Sequence, residues 1–345
     1  MNPLRLFIIS LVLSVLLSCR TAPEVSGTFE SVEPEQITPG GVLAEKLNGF
    51  IPANTVAVQQ QAVVLNKILA LQKIASTLPG QSKPELTDSL LSAWKMVQKQ
   101  INLNFGEVSA VDLNKWIELN DSLLKYSGLV CFADELEKVF YNTSSPDVLT
   151  DKAFKSVCYT RRYDRIYLNI YGNSTFNFEH TTGGLVRLIQ DTDYPYSGSV
   201  RVKLEMQDTR YLDLYIRIPG WAAYSSVTVH GVRYPARAGE YTEIARKWKN
   251  GDEVEIEFSM VPVVLQNGTG LFAFLYGPLF LSYPADSLQG PSRHLESPEI
   301  DLTLASPPGK ITTFTYSGIP DRTVVLQPIY AETDSVHSVR MIWLP

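Results

Sequence analysis

The chain contains 345 residues, of which 45% are hydrophobic and 19% are charged. This is enough apolar material for about two packed domains, and it excludes a disordered or collagen-like chain. The 30 Lys and Arg and the 36 Asp and Glu residues are scattered and give a net charge of −6. Because no basic stripe is present to neutralise a phosphate backbone, we expect no nucleic-acid partner. Four His and three Cys residues exclude a zinc ribbon and a disulfide framework.

The N-terminus has the features of an export signal. Arg5 precedes an apolar stretch at 6–17, which is shorter than the roughly 20 residues of a membrane-spanning helix. The sequence Leu-Leu-Ser-Cys at 16–19 resembles the bacterial lipobox, whose cysteine becomes the lipidated first residue of the mature chain. We therefore expect residues 1–18 to be a lipoprotein signal peptide and Cys19 to carry the lipid. The alternative is an ordinary signal peptide with an incidental cysteine.

Residues 19–41 contain many Thr, Pro, Glu, Ser and Gly residues and few apolar ones, which predicts a flexible tether. The protein is then expected in the bacterial cell envelope, with the lipid anchor as its only membrane contact. The sequence leaves open which membrane face displays it.

Residues 42–145 have the hydrophobic period of helices. One predicted helix follows Ser109, which together with Asp112 forms an N-cap pair, and this helix ends at Gly128. A further short helix is predicted over 132–141. Earlier helices are indicated by apolar residues at helical spacing, namely Val64, Ile68, Leu71, Ile74, Trp94 and Val97.

From Ile166 onwards the hydrophobic period changes to two, and short strands alternate with glycine-containing turns. This pattern predicts an antiparallel β-sandwich at 146–283 and a small C-terminal β-domain at 284–345. The expected fold class is α+β, with helices first and strands after them.

An ordered series of motifs in the β half resembles the middle β-sandwich of bacterial β-L-arabinofuranosidases of glycoside hydrolase families 127 and 146. The motifs are DYPYSG at 193–198, RIPGW at 217–221, WKNGD at 248–252 and FLYGPL at 274–279. Upstream, FADELEKVFYN at 132–142 and IYLNIY at 166–171 are similar to a helix and a strand of these enzymes. The segment at 324–343 is similar to their C-terminal β-domain.

The resemblance implies a catalytic (α/α)6 barrel of twelve helices. Twelve average helices with short loops require roughly 190 residues, and the region at 42–145 is much shorter. We therefore expect these helices to be a partial remnant of the barrel.

The resemblance also implies a cysteine thiolate nucleophile held on zinc, with a glutamate as acid/base. Aligned without gaps, Ser109 and Val111 occupy the positions of a Glu and a Cys zinc ligand, and neither is a usual zinc ligand. The family's adjacent Cys-Cys pair has no counterpart, because Cys158 stands alone. We expect no metal, no cofactor and no zinc–thiolate catalysis.

Other acids are weaker catalytic candidates. Gly106-Glu107 is similar to a glycine–glutamate pair near the family's acid/base, but an ordinary acid near the start of a helix is the preferred interpretation of Glu107. The pairs Asp191/Asp193 and Glu255/Glu257 are spaced like glycosidase carboxylates, although acids on an exposed strand face are the preferred interpretation.

The remaining candidates are structural or aromatic. The four histidines lack the spacing of metal ligands, and the sequence leaves open whether Cys131 and Cys158 pair. Turn-adjacent aromatic residues could stack on sugar rings or pack in the core. These residues are Tyr194, Tyr196, Trp221 and Trp248.

Three functions follow from these observations. The first is an envelope lipoprotein that has lost the zinc–thiolate site and binds or helps to use an arabinose-containing plant glycan. The second is an active glycoside hydrolase with a rebuilt carboxylate site, and the third is a structural envelope protein. The oligomeric state does not follow from the sequence.

Overall fold

The computed structural model describes residues 30–39, 61–75, 88–103, 108–143, 151–266, 272–284, 302–304, 313–319, 322–329 and 340–341. The helices are α1 (Gln61–Ala75), α2 (Asp88–Leu103), α3 (Ala110–Ser127), α4 (Val130–Asn142) and α5 (Asp151–Cys158). The first strands are β1 (Glu30–Ser31), β2 (Ile37–Pro39), β3 (Tyr159–Arg162), β4 (Arg165–Leu168), β5 (Ser174–Glu179), β6 (Leu185–Thr192), β7 (Ser199–Met206) and β8 (Arg210–Arg217). They are followed by β9 (Ser225–Val229), β10 (Val232–Tyr234), β11 (Tyr241–Trp248), β12 (Glu253–Phe258), β13 (Pro262–Gln266), β14 (Phe272–Tyr276), β15 (Leu279–Pro284), β16 (Leu302–Leu304), β17 (Phe314–Ile319), β18 (Arg322–Pro328) and β19 (Arg340–Met341).

The helices pack around a core of aromatic rings. Trp94 of α2 stacks on Trp116 of α3 with ring centroids 5.7 Å apart, and its indole N–H donates to Asn120 Oδ1 at 3.0 Å. The start and end of α3 were predicted correctly. Ser109 Oγ accepts from the Asp112 N–H at 3.1 Å, and Gly128 (φ 66°) ends the helix. Among the described helices, none is long and apolar enough to cross a membrane.

Two sheets form the predicted β-sandwich. One has the strand order β1-β3-β4-β8-β11, and the other has the order β10-β9-β12-β7-β6-β5-β2. Residues along β6 and β7 alternate between exposed and buried, so that their apolar side chains enter the core between the sheets. The α+β class and the sandwich are therefore confirmed.

A third sheet includes strands that were predicted to belong to the end of the β-sandwich. β13, β14 and β15 pair onward with β18, β17 and β16, and β19 pairs with β15. A separate small core lies on this sheet, formed by Phe274, Leu281, Tyr283, Phe314, Tyr316, Val324 and Leu326. The sandwich therefore ends at Phe258 instead of residue 283, because the FLYGPL hairpin pairs with the C-terminal strands.

The predicted tether is wrong over residues 30–39. In β1, Glu30 pairs with Arg161, and in β2, Ile37 pairs with Phe176. The side chains of Val32 and Ile37 are buried in the sandwich core. The prediction failed because the composition of this segment is polar apart from Val32 and Ile37. The burial of these two side chains accompanies the pairing of β1 and β2 with the sheet edges.

Candidate functional site

Three of the motifs that carry the family resemblance, FADELEKVFYN, DYPYSG and RIPGW, contribute residues to one buried polar cluster between α4 and the sandwich. Arg217, the last residue of β8, is 0% exposed and its guanidinium contacts the carboxylates of both Asp134 and Glu137. The Gly220 N–H, in the turn after β8, donates to Asp134 Oδ2 at 2.9 Å. The helix motif FADELEKVFYN and the strand motif RIPGW are thus joined by an ionic contact.

Aromatic side chains complete this cluster. The Tyr194 hydroxyl donates to Glu137 Oε1 at 2.7 Å, and Trp221 Nε1–H donates to Glu137 Oε2 at 3.3 Å. The Tyr171 hydroxyl donates to the Arg217 carbonyl, which holds the end of β8 from the other side. We call Asp134, Glu137, Tyr194, Arg217 and Trp221 the junction cluster.

The junction cluster contains one cation and two carboxylates. Burial raises the pKa of Asp134 to about 6, against the opposing attraction of Arg217, and the neighbouring Glu137 raises it further. Burial disfavours the charge of Arg217, but Glu137 and Asp134 together hold the pKa of its guanidinium above the ordinary value. Buried charges persist only when they are paired and hydrogen-bonded. The arrangement therefore fastens the helices to the sandwich.

Two of the four turn-adjacent aromatic residues are buried, which agrees with the alternative of core packing instead of sugar stacking. Tyr194 is 2% exposed and belongs to the junction cluster. Trp248 is 0% exposed and its indole N–H donates to the Leu212 carbonyl at 3.1 Å. Trp221 is half-buried against Phe258, with ring centroids 5.8 Å apart. Tyr196 is also half-buried, so a sugar contact of Trp221 or Tyr196 stays a prediction.

The positions implied for the zinc site have other roles. Ser109 caps α3 and its hydroxyl also donates to Asp112 Oδ2 at 2.9 Å, while Val111 points outward and is 60% exposed. Cys158 is a free thiol at the end of α5, buried in the core, and it donates to the Ile170 carbonyl at 3.5 Å. Burial raises the pKa of the Cys158 thiol, which keeps it protonated.

The described residues bear on the pairing of Cys158 and on the presence of a metal-ligand cluster. Because Cys158 is free, it does not pair with Cys131. No group of three or more His, Cys, Asp or Glu side chains within the described ranges could hold a metal ion. Cys19 and Glu107 lie outside the residues that the structure describes.

The four acids considered as glycosidase pairs all line one open groove of about 530 Å³ on the outer face of the β6-β7-β12-β9 strands. Asp191, Asp193, Glu255 and Glu257 share it with Arg201 and with several Ser and Thr hydroxyls. Glu257 Oε1 accepts from Ser199 Oγ at 2.7 Å, and Arg201 lies 3.8 Å from Asp191. No aromatic residue is among the described residues of the lining, so this groove offers no stacking surface.

The two described histidines have structural contacts. His180 is buried, and its Nε2 lies 3.1 Å from the Tyr211 carbonyl. His230 Nε2 lies 2.9 Å from Asp252 Oδ1 in the hairpin after β9. No second histidine takes part in either contact.

Comparison with known proteins identifies a segment of the chain that is similar to a known domain. Residues 165–260 match the profile described as "Beta-L-arabinofuranosidase, GH127 middle domain". No curated protein sequence matches the chain. The matched segment begins at β4 and ends just after β12, which agrees with the sandwich boundary given above.

Three solved structures share the fold. One is Ara127N, a GH127 β-L-arabinofuranosidase from Geobacillus stearothermophilus T6, with a TM-score of 0.59 and 17% identity over 80% of this chain and 59% of that chain. A GH127 β-arabinofuranosidase has a TM-score of 0.55 and 19% identity over 68% and 49% of the two chains. A chain described as a glycoside hydrolase has a TM-score of 0.55 and 20% identity over 68% and 52%.

This chain spans about half the length of these solved structures. The similarity is at the level of the fold, and it is most specific in the middle domain. The protein is therefore GH127-like, and its residues 165–260 form a GH127-type middle domain.

Proposed function

We propose that this protein is an envelope lipoprotein that binds an arabinose-containing glycan and does not hydrolyse it by the zinc–thiolate route. The observation that carries the proposal is the state of Cys158. This thiol is fully buried and donates a hydrogen bond to the Ile170 carbonyl, and its burial raises its pKa. A thiolate nucleophile requires the opposite environment, which is partly exposed and electropositive.

The surroundings of Ser109 and Val111 support the same proposal. The Ser109 hydroxyl is used in capping α3, and Val111 exposes an aliphatic chain to solvent. Restoring a ligand set there would require three new sulfur or carboxylate ligands and a new nucleophile. The junction cluster, in contrast, keeps the helix and sandwich motifs tightly joined, which favours retention of the scaffold for binding.

Binding to the glycan can be tested directly. The chain from residue 19, carrying Cys19→Ala so that no lipid is attached, is run through native gels that contain linear arabinan or no polysaccharide. We expect migration to be retarded by arabinan, with an unrelated protein of similar charge as the control. Unchanged migration in arabinan and in other plant glycans would leave the structural-protein alternative as the better account.

The lipid anchor is part of the proposal. Its support is the lipobox-like sequence that ends at Cys19 and the short apolar stretch before it. A lipoprotein with this signal is placed in the bacterial cell envelope and touches the membrane through its acyl chains alone.

A second candidate function is hydrolysis by carboxylates, because Asp191, Asp193, Glu255 and Glu257 converge on one groove. Such a site needs one acid and one base or nucleophile at a defined separation. Turnover of an arabinofuranoside that is abolished by Glu255→Gln or by Asp193→Asn, but not by Cys158→Ser, would favour this candidate over the first.

A further inference from the structure

One end of the five-stranded sheet carries exposed tyrosines and cations on its outer face. Arg162 and Arg165 lie opposite each other in the β3–β4 hairpin, Arg165 pairs with Asp213 of β8, and Lys247 of β11 pairs with Tyr211. Side chains of directly paired residues point to the same face of a sheet. We call Arg162, Tyr163, Arg165, Tyr211 and Lys247 the basic tyrosine patch.

Both tyrosines of this patch present their rings to solvent. Tyr163 is 69% exposed and Tyr211 is 53% exposed. Neither ring contacts another ring in the described parts of the chain, whereas Tyr167 and Tyr215 farther along the same face stack with centroids 4.2 Å apart. Because the Asp213 N–H donates to the Asp164 carbonyl at 3.1 Å, the turn that carries Tyr163 lies alongside β8 near Tyr211.

Tyr163 is held in an unfavourable backbone conformation. It occupies the first position of the two-residue turn between β3 and β4 with φ 56°, where glycine is the residue that fits without strain. A bulky aromatic residue at this position has no stabilising ring contact in compensation. Strain of this kind is concentrated at functional sites, where the surrounding structure maintains it.

The surrounding structure does maintain this turn. Asp164 accepts from the Thr181 N–H at 3.0 Å and lies 3.3 Å from His180 Nε2. Arg161 Nε donates to the Tyr163 carbonyl at 3.1 Å. The tyrosine is therefore presented by a rigid turn, and a rigid binding group loses little conformational entropy when a ligand arrives.

The charges of the patch call for an anionic ligand. The patch has three cations, and two carboxylates lie beside it: Asp213 is 3.3 Å from Arg165 Nε, and Asp164 is bound by Thr181 and close to His180. The side chains of Arg162 and Lys247 form no hydrogen bond or ion pair in the described structure. Like charges directly opposite each other in a sheet, such as Arg162 and Arg165, destabilise it, and a bound carboxylate would relieve this repulsion while pairing with the planar guanidinium groups.

We propose that the basic tyrosine patch binds an acidic saccharide, a glycan chain that contains uronic acid residues. The tyrosine rings stack on the apolar faces of the sugar rings, and Arg162, Arg165 and Lys247 pair with the uronate carboxylates. A nucleic acid is a poorer ligand for the patch, because the protein has a net charge of −6 and repels the much denser negative charge of the phosphate backbone. The inference rests on the proposed glycan-binding role and adds to it a place and a chemical class.

The test measures the affinity of the full chain for trigalacturonate and for its methyl ester, which has the same rings without the charge. We expect trigalacturonate to bind at least fivefold more tightly than the ester. Tyr163→Gly is expected to weaken this binding at least fivefold while the melting temperature stays equal or rises, since glycine relieves the strain. Arg162→Gln is expected to weaken binding of trigalacturonate but not of the ester.

Matched controls are Tyr224→Ala and Arg237→Gln, which change an exposed tyrosine and an exposed arginine outside the patch. Both are expected to bind like the unmodified chain. The inference is overturned if trigalacturonate fails to bind while arabinan does, which leaves the proposed function intact. It is also overturned if Tyr163→Gly binds normally, or if a DNA oligonucleotide competes equally. Loss of both ligands would overturn the proposed function as well.

Discussion

Replacing Arg217 by Met removes the single cation of the junction cluster and keeps most of its volume. Two carboxylates are then left without their counter-ion in a buried site, and breaking a buried pair in this way costs about 3–5 kcal/mol. Glu137 keeps its donors Tyr194 and Trp221, and Asp134 keeps the Gly220 N–H. Because these hydrogen bonds remain, we expect Arg217→Met to lower the free energy of unfolding by about 3 kcal/mol, which is the lower end of this range.

The measurement is urea-induced unfolding followed by circular dichroism, with the slope of the transition compared between variants. Arg187→Met is the matched control, because Arg187 pairs with Glu205 at 3.3 Å on the surface, where an ion pair contributes at most about 1 kcal/mol. A loss of less than about 1 kcal/mol for Arg217→Met, or a loss equal to that of Arg187→Met, would refute the view that the cluster joins the helices to the sandwich.

Four further outcomes are expected. In the folded protein the pKa of Asp134 is about 6, which is above its ordinary value of 3.8. The contribution of Asp134 to the free energy of unfolding is therefore complete below about pH 3.8 and is lost as the pH rises through about 6. The urea midpoint should fall over this pH range, and Asp134→Asn should abolish the fall. Cys158 should react with a thiol reagent only in denaturant, and rapid labelling of the native protein would contradict its burial. Trp221→Ala should cost about 3 kcal/mol, since the ring packs on Phe258 and donates to Glu137; a neutral effect on stability together with lost sugar binding would instead assign it to a binding site. Cys19→Ala should move the protein from membrane to soluble fractions, and membrane retention of this variant would contradict lipidation. A disulfide that contains Cys19 in the unmodified protein would contradict it as well.

Local signals in the sequence were sufficient for several elements. The limits of α3 follow from the side chain of Ser109 and from the left-handed conformation of Gly128, which depend on neighbouring residues only. The sandwich strands follow from period-two alternation. The family motifs identified the middle domain because each is a turn or strand end with a restricted geometry.

Contacts between distant residues could not be obtained in this way. Arg217 and Glu137 are separated by 80 positions, and nothing local in either motif indicates that they pair. Tyr194 follows a turn signal that predicts exposure, yet its hydroxyl reaches Glu137 and its ring is buried. The strained Tyr163 was missed because a tyrosine in a short turn gives no indication of its φ angle.

The central claim is that the chain retains the GH127-type sandwich without a zinc–thiolate active site. The most direct measurement is turnover of a chromogenic β-L-arabinofuranoside by the chain from residue 19 carrying Cys19→Ala, with zinc determined in the same sample. We predict no zinc-dependent turnover and no stoichiometric zinc. Bound zinc at one equivalent, with turnover that Cys158→Ser abolishes, would contradict the account.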